Sequence, residues 1–395
     1  MGVAVEIKEG YVKTKLGWVP SDWKILRLEN VCGEFKSGFG ITAKQITDFG
    51  RFPVYGGNGL RGYSSDFTHE GHYILIGRQG ALCGNILEVN GKNYISEHAI
   101  AVNTNEDNDN SFLAFKLDFL KLNRLSESSA QPGLAVGKLL RFKLSLPPLP
   151  EQKKIADILS TWDKAIETTQ ALIERLQHRK KGLMQQLLTG NKRLPGFSGE
   201  WGEVYAGEIF EEIKKKNDGG SHEPLTISSK VGFVSQRKKF DKVIAGSSLS
   251  KYIQLQKFDF SYNKGNSKTY PMGCIFLLEE FESAVVPFVY ISFTPLKELD
   301  KYFYKYWFEN HGLDRQLKAI ITSGARGDGL LNVSKKDFFK LLLPYPVLKE
   351  QTTIAQVLIK ADEEIGQTQQ YLEQMQEQKK GLMQQLLTGQ KRVKV

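Results

Sequence analysis

From Ile155 onward, apolar residues recur in alternating steps of four and three: Ile155, Leu159, Trp162, Ile166, Thr169, Ile173, Leu176, Lys180, Leu183 and Leu187. A mean step of 3.5 places all of them on one stripe of an α-helix, a heptad seam suited to a second helix. The stripe returns 199 positions later at Ile354, Leu358, Ala361, Ile365, Thr368, Leu372, Met375, Lys379, Leu382 and Leu386, with Thr and Lys at the same two places. The residues themselves also repeat. Lys180 to Arg193 reads KKGLMQQLLTGNKR, Lys379 to Arg392 reads KKGLMQQLLTGQKR, and Glu151-Gln152 returns as Glu350-Gln351. The chain is a tandem duplication. Pro150 suits a first helical turn, and Gly190 and Gly389 suit the residue just past a helix end. A first helix is therefore predicted over about 151–189, about 58 Å long at 1.5 Å per residue.

Each helix could pack only on its own half of the chain. A strict seam over some five heptads instead asks for a partner of similar length, and the other copy is the simplest one. If both halves sit alike on their helices, the pair runs antiparallel and the two halves separate as a pseudo-twofold dumbbell. Trp162 facing Ala361 would let a large residue fill the space left by a small one, although the sequence leaves open which residues pair. The second helix is approached through LPYPVLKEQ, two residues longer than the LPPLPEQ of the first, and a distorted start is expected there.

Residues 20–149 and 200–348 carry short β-prone runs between glycine and asparagine turns, among them Tyr73 to Ile76, Tyr94-Ile95, Tyr252 to Leu255 and Ala284 to Ile291. They predict mixed α/β domains. Their interiors share only a Gly-to-Trp approach (Gly17 to Trp23, Gly196 to Trp201) and an exit in which Val136 and Phe142 match Val333 and Phe339. The expected organisation is a globular domain at 1–149, a helix at 150–190, a second domain at 191–348, a second helix at 349–389 and a tail at 390–395.

With 41% hydrophobic and 25% charged residues in 395, the chain reads as an ordinary globular protein of two or three domains. Its longest apolar runs, Ala284 to Phe293 and Leu341 to Leu348, are short and broken by proline, so no membrane span is expected. Glu6, Lys8 and Glu9 stand where a signal peptide needs apolar residues, and a cytoplasmic location is expected. Cys32, Cys83 and Cys274 form neither a disulfide framework nor a metal knuckle.

Lys plus Arg exceeds Asp plus Glu by 54 to 44, a net charge of +10 that favours an anionic partner such as nucleic acid. Residues able to donate to phosphates or base edges cluster in glycine-rich segments, where backbone can approach a ligand. In the first half these are Lys36, Asn58, Arg61, Arg78 and Gln79; in the second they are Lys230, Gln236, Arg237, Lys238, Lys239, Lys264, Asn266, Lys268 and Arg326. The alternative is that such turns are simply solvated surface.

No catalytic or metal set assembles. Gly133 to Lys138 is one residue short of a phosphate-binding loop and lacks the following Ser or Thr. His69 and His72 are three apart with no third ligand in view. Phe35 to Gly40 faintly suggests a methyl-donor loop, but no Asn-Pro-Pro-aromatic or Asp-Pro-Pro-aromatic tetrad exists to hold a target amino group.

LPPLPEQKKIADIL (Leu146 to Leu159), both copies of KKGLMQQLLTG, VYGGNGLRGY (Val54 to Tyr63) and IGRQGALCG (Ile76 to Gly84) resemble the specificity subunit of type I restriction-modification systems. The resemblance implies two target-recognition domains, each reading one half of a split double-stranded DNA site, separated by two antiparallel helices that fix the spacer. It also implies partners: two modification subunits that methylate adenine with S-adenosylmethionine, and restriction subunits that use ATP and magnesium for cleavage. The chain itself would hold no cofactor and do no chemistry. A free-standing methyltransferase would need the missing tetrad, and a purely structural coiled coil would not need two basic, glycine-rich halves.

Overall fold

The computed structural model describes residues 8–80, 82–126, 133–240, 246–265, 267–321 and 331–394. Two long helices, α1 (Leu149–Leu187) and α2 (Leu348–Leu387), dominate it. Both end as their glycines suggest: Gly190 and Gly389 have φ of +73° and +74°, and the Lys192 and Lys391 N–H groups return to the Gln186 and Gln385 carbonyls at 3.1 Å in each case. No described helix is long and apolar enough to cross a membrane.

The chain divides into two compact units, Met1–Ala171 with Gln370–Val395, and Leu172–Gln369. Each unit holds one globular domain, part of α1 and part of α2. In the first unit Asp163 pairs with Lys379, and the Thr169 hydroxyl lies 3.7 Å from the Met375 sulfur. In the second, Lys180 donates to both Asp362 oxygens at 2.6 and 2.8 Å, and Arg179 pairs with Glu364. Numbers rise on one helix as they fall on the other, so the segments are antiparallel in each unit. Ile155, Leu159, Ile173, Leu176, Leu187, Ile354, Leu358, Ala361, Ile365, Met375 and Leu386 are buried, while Trp162, Ile166, Leu183, Leu372 and Leu382 are half-buried.

Trp162 and Ala361 do not face each other. Trp162 precedes Asp163, whose partner is Lys379, and Ala361 precedes Asp362, whose partner is Lys180. In an antiparallel pair of duplicated helices a position meets its own copy only midway along.

The two helix starts are also alike, which overturns the expected distortion. Strand Lys143–Leu146 pairs with Lys24–Arg27 and strand Leu342–Tyr345 with Gly202–Tyr205, and α1 and α2 follow at the same distance. The Gln152 and Gln351 amides donate to the Pro147 and Pro346 carbonyls at 2.9 and 2.8 Å, and accept from the Asp109 and Asp300 N–H groups at 3.0 and 2.9 Å. LPPLPEQ therefore aligns with YPVLKEQ without a gap; the shared Leu-Pro pair belongs to different strand positions.

Besides the pair Lys24–Arg27 with Lys143–Leu146 and the hairpin Tyr11–Thr14 with Gly17–Pro20, the described residues of the first domain form eight strands: β1 (Cys32–Ser37), β2 (Phe52–Gly56), β3 (Gly59–Ser64), β4 (His69–Glu70), β5 (Tyr73–Gly77), β6 (Ile86–Val89), β7 (Lys92–Ile95) and β8 (Ala99–Thr104). They form an antiparallel sheet β1-β8-β5-β6 and a mixed sheet β3-β2-β7-β4, in which β2 and β7 are parallel. The second domain has β9 (Phe210–Glu212), β10 (Glu223–Ser228), β11 (Gly232–Ser235), β12 (Ile253–Gln256), β13 (Phe260–Asn263), β14 (Cys274–Leu277), β15 (Ser283–Val286) and β16 (Ile291–Pro295). Its sheets run β9-β16-β13-β14 and β11-β10-β15-β12, with β10 and β15 parallel. Strand for strand, the topology is the same. The inward positions differ in kind, being Ile74, Ile76, Ile100 and Val102 in one domain and Phe260, Tyr262, Ile291 and Phe293 in the other.

Each antiparallel sheet packs under a helix, Asn110–Phe119 capped by Asp109 or Lys301–Glu309 capped by Asp300, and then against the long helices. Fully buried Leu159 and Leu358 join these cores, each contributing about 1.5–3 kcal/mol of apolar burial. A polar node accompanies each. Glu151 accepts from Arg392 at 2.8 and 2.7 Å and from the Trp23 indole at 3.3 Å; Glu350 accepts from Arg193 at 2.6 Å twice and from Trp201 at 3.0 Å.

Candidate nucleic-acid interface

In the first domain the β2–β3 hairpin, the segment leaving β5 and the β7–β8 turn surround a cleft of about 580 Å³. Asn58, Arg61, Gln79 and His98 line it. The glycines around it have a role other than admitting a ligand. A Cβ on Gly57 would fall 2.7 Å from the His98 carbonyl oxygen, and one on Gly77 would fall 2.7 Å from that of Gly57. They let three backbone segments touch, and the polar side chains project from that tight base. Arg78 is held beside the cleft, its guanidinium donating to the Ser37 hydroxyl at 3.0 Å and its N–H to the His98 carbonyl at 3.0 Å. Lys36 is exposed on β1, 3.6 Å from Glu34, and strand alternation puts it on the opposite face from Ser37.

The shared topology relates candidates that the sequence could not align. Lys230 sits in the β10–β11 turn, the counterpart of the turn carrying Asn58. Lys264 follows β13 as Arg78 follows β5, and their carbonyls accept from the Leu331 and Leu134 N–H groups at 2.9 and 3.0 Å. Arg237, Lys238 and Lys239 are exposed on the helical turn Gln236–Phe240, and Lys268 is exposed beyond β13. Gln236 is corrected: it is buried, with its amide donating to the Leu225 carbonyl at 3.2 Å and the Tyr252 hydroxyl at 3.1 Å, so it braces the sheet instead of facing solvent. Asn266 and Arg326 lie outside the described residues.

Three further features escaped sequence reasoning. Lys214, Lys215 and Lys216 are exposed along the edge of β12, where the Gln254 N–H donates to the Lys215 carbonyl at 2.9 Å. Their run of charge was legible in the sequence, ahead of Gly219-Gly220. The Glu97-His98 turn, and Phe288 at 51% exposure on the matching β15–β16 turn, gave no sequence signal because the two turns share no residue.

His69, His72 and the thiols of Cys32 and Cys274 serve structure. His72 meets Glu88 at 2.7 Å, which raises the histidine pKa, while His69 meets Thr68 at 2.7 Å and is lowered mainly by burial. The two rings thus have separate partners. Burial pushes the Cys32 thiol up to about 12 and that of Cys274 up to about 11, leaving both unreactive at neutral pH.

Residues 20–178 match the family model of the type I restriction modification DNA specificity domain. A putative type I restriction enzyme MjaX specificity subunit from Methanocaldococcus jannaschii is 26% identical over 98% of both chains. The chain thus carries a region that matches this specificity domain, and over its length it is similar to type I specificity subunits. A further specificity subunit, EcoprrI of Escherichia coli, is 45% identical over 112 residues, a match spanning 28% of each protein. The crystal structure of a type I S subunit from M. genitalium shares the fold, with a TM-score of 0.60, 16% identity and coverage of 92% of this chain and 96% of that one. The matched domain is a DNA specificity domain, and these relatives are specificity subunits.

Proposed function

We propose that this chain reads an asymmetric, bipartite double-stranded DNA site for a type I restriction-modification complex. The domains at 1–149 and 191–348 each read one half-site, the helices at 150–190 and 349–389 set the unread spacer, and 390–395 is a tail. The reading rests on one observation: the same eight-strand topology occurs twice on twin polar nodes, with unlike side chains at corresponding turns. Arg78 answers to Lys264, and Glu97-His98 to Pro287-Phe288. A shared scaffold with different contact residues suits two different half-sites.

The exposed candidates divide by chemistry. Arg61, Arg78, Asn58 and Gln79 are assigned to base edges, where Arg pairs with guanine and amides with adenine. Lys36, Lys230, Arg237, Lys238, Lys239, Lys264 and Lys268 are assigned to phosphates, with Asn266 and Arg326 as further candidates. Two modification subunits dock on the duplicated frame and methylate adenine with S-adenosylmethionine; restriction subunits with ATP and magnesium join for cleavage. The work takes place in the cytoplasm. Co-expression with the chromosomally neighbouring subunits followed by mapping of adenine methylation tests this. A bipartite motif with unlike halves is expected, and a contiguous or palindromic motif would overturn it.

A further inference from the structure

The turn Ser96 to His98, between β7 and β8, contributes to the wall of the first-domain cleft through His98. Its backbone is fixed, with Ser96 and Glu97 N–H groups donating to the Tyr55 and Phe39 carbonyls at 2.8 and 3.0 Å and Ala99 closing back on Ser96 at 3.0 Å. The side-chain ends are left incomplete. One Glu97 oxygen lies 3.2 Å from the His98 ring, while Oε2 is enclosed and has no hydrogen-bond partner among the described residues. The Ser96 hydroxyl is in the same condition. An enclosed acceptor without a donor is costly, and a fold retains one where something from outside supplies the donor.

The Glu97 side chain is 38% exposed and the terminal torsion of a glutamate is soft, so its carboxylate can reorient beside the cleft wall formed by His98 without moving the turn. The DNA surface narrows the choice of donor. Phosphates offer none, and in the major groove only the exocyclic amines of cytosine and adenine donate, whereas guanine and the thymine carbonyl present acceptors that repel a carboxylate. Cytosine suits it better than adenine, whose N7 acceptor stands beside the amine. Arg61 lines the cleft with His98, and the Arg78 N–H donates to the His98 carbonyl at 3.0 Å, so the adjoining backbone carries two cationic residues that favour the phosphates.

We propose that Glu97 is a specificity-determining residue that accepts a hydrogen bond from an exocyclic base amine, cytosine first, in the half-site read by the first domain. This rests on the chain being a DNA-reading subunit. The matching turn of the second domain, Pro287-Phe288, has no such acceptor, so the other half-site is an internal control.

The test uses the full chain assembled with its partner subunits and a duplex library randomised across the whole site. Selected sequences are compared for the unsubstituted chain, Glu97→Ala and Glu97→Gln. The expected result is a preference for cytosine or adenine at one position of one half-site of about 5- to 150-fold over guanine and thymine, the range of one good base contact. Glu97→Ala should flatten that position alone. Glu97→Gln, which keeps the shape of the turn, should shift it toward adenine because an amide pairs with both N6 and N7. If both variants keep every preference, or weaken all sequences equally, Glu97 does not read a base. If the unsubstituted complex selects no sequence, the DNA-reading proposal itself fails.

Discussion

Arg392→Ala should destabilise the first unit more than Glu151→Leu does, although both remove the same ion pair. Glu151 is 2% exposed and takes two hydrogen bonds from Arg392 and one from Trp23. Without the guanidinium, a buried carboxylate keeps only an indole N–H, an uncompensated charge costing about 3–5 kcal/mol. Replacing Glu151 by leucine instead leaves the Trp23 N–H without a partner, about 1–3 kcal/mol. Arg392 adds at most about 1 kcal/mol to that cost, because its side chain is 39% exposed and still holds Asp22 at 2.8 and 2.6 Å. The double variant should recover part of the Arg392→Ala loss. Hydrogen exchange at the first turn of α1 reads the effect locally, and the first turn of α2, built on Glu350, serves as the unperturbed twin. Equal losses for the two single variants, or a loss below about 1 kcal/mol for Arg392→Ala, would show that Glu151 is solvated and the reasoning wrong.

Three other outcomes follow. Burial lowers the Lys116 amine from 10.5 to about 8 where it donates to the Leu387 carbonyl and the Ser145 hydroxyl. Between those values the unfolded chain binds the extra proton, so stability should rise as pH goes from 8 toward 10, by up to about 3 kcal/mol, and denaturant titrations of Lys116→Met should show no such rise. DNA affinity should fall steeply with salt, and neutralising each of Arg237, Lys238 and Lys239 that touches phosphate should reduce the log-log slope by about 0.9; an unchanged slope for all three would remove them from the interface. Adding one heptad to α1 and one to α2 lengthens the seam by about 10 Å, so the preferred spacer should grow by up to about three base pairs at 3.4 Å each. Methylation of a randomised-spacer library that still selects the original length would show that the helices are not the ruler.

The helices and the duplication were legible because a 3.5-residue seam and near-identical ends admit one reading. The common topology of the two domains was not. Aliphatic Ile74 and Ile76 give way to aromatic Phe260 and Tyr262 at equivalent inward positions, and any core of the right volume and pattern satisfies the same sheet. Gly57 and Gly77 looked like ligand contacts because sequence shows the missing side chain but not which backbone approaches it. Gln236 looked exposed because it opens a basic run, while its own strand-to-helix corner turns it inward. Arg61 and Gln79 do converge on one cleft, a proximity carried by the hairpin and by β5 that no spacing rule encodes.

The core of the first domain includes Met383, Leu386 and Leu387, and its polar node needs Arg392. During synthesis these residues emerge 199 positions after their copies, Met184, Leu187, Leu188 and Arg193. At 5–20 residues per second that is a delay of about 10–40 s, long beside the folding of a single domain. Throughout it the first domain exposes an unfilled groove next to a segment of almost the same sequence. KKGLMQQLLTGNKR nearly matches the segment that finally takes that seat, KKGLMQQLLTGQKR, so a chain truncated before Lys379 is expected to place the earlier copy there, whereas in the full chain that copy belongs to the second unit.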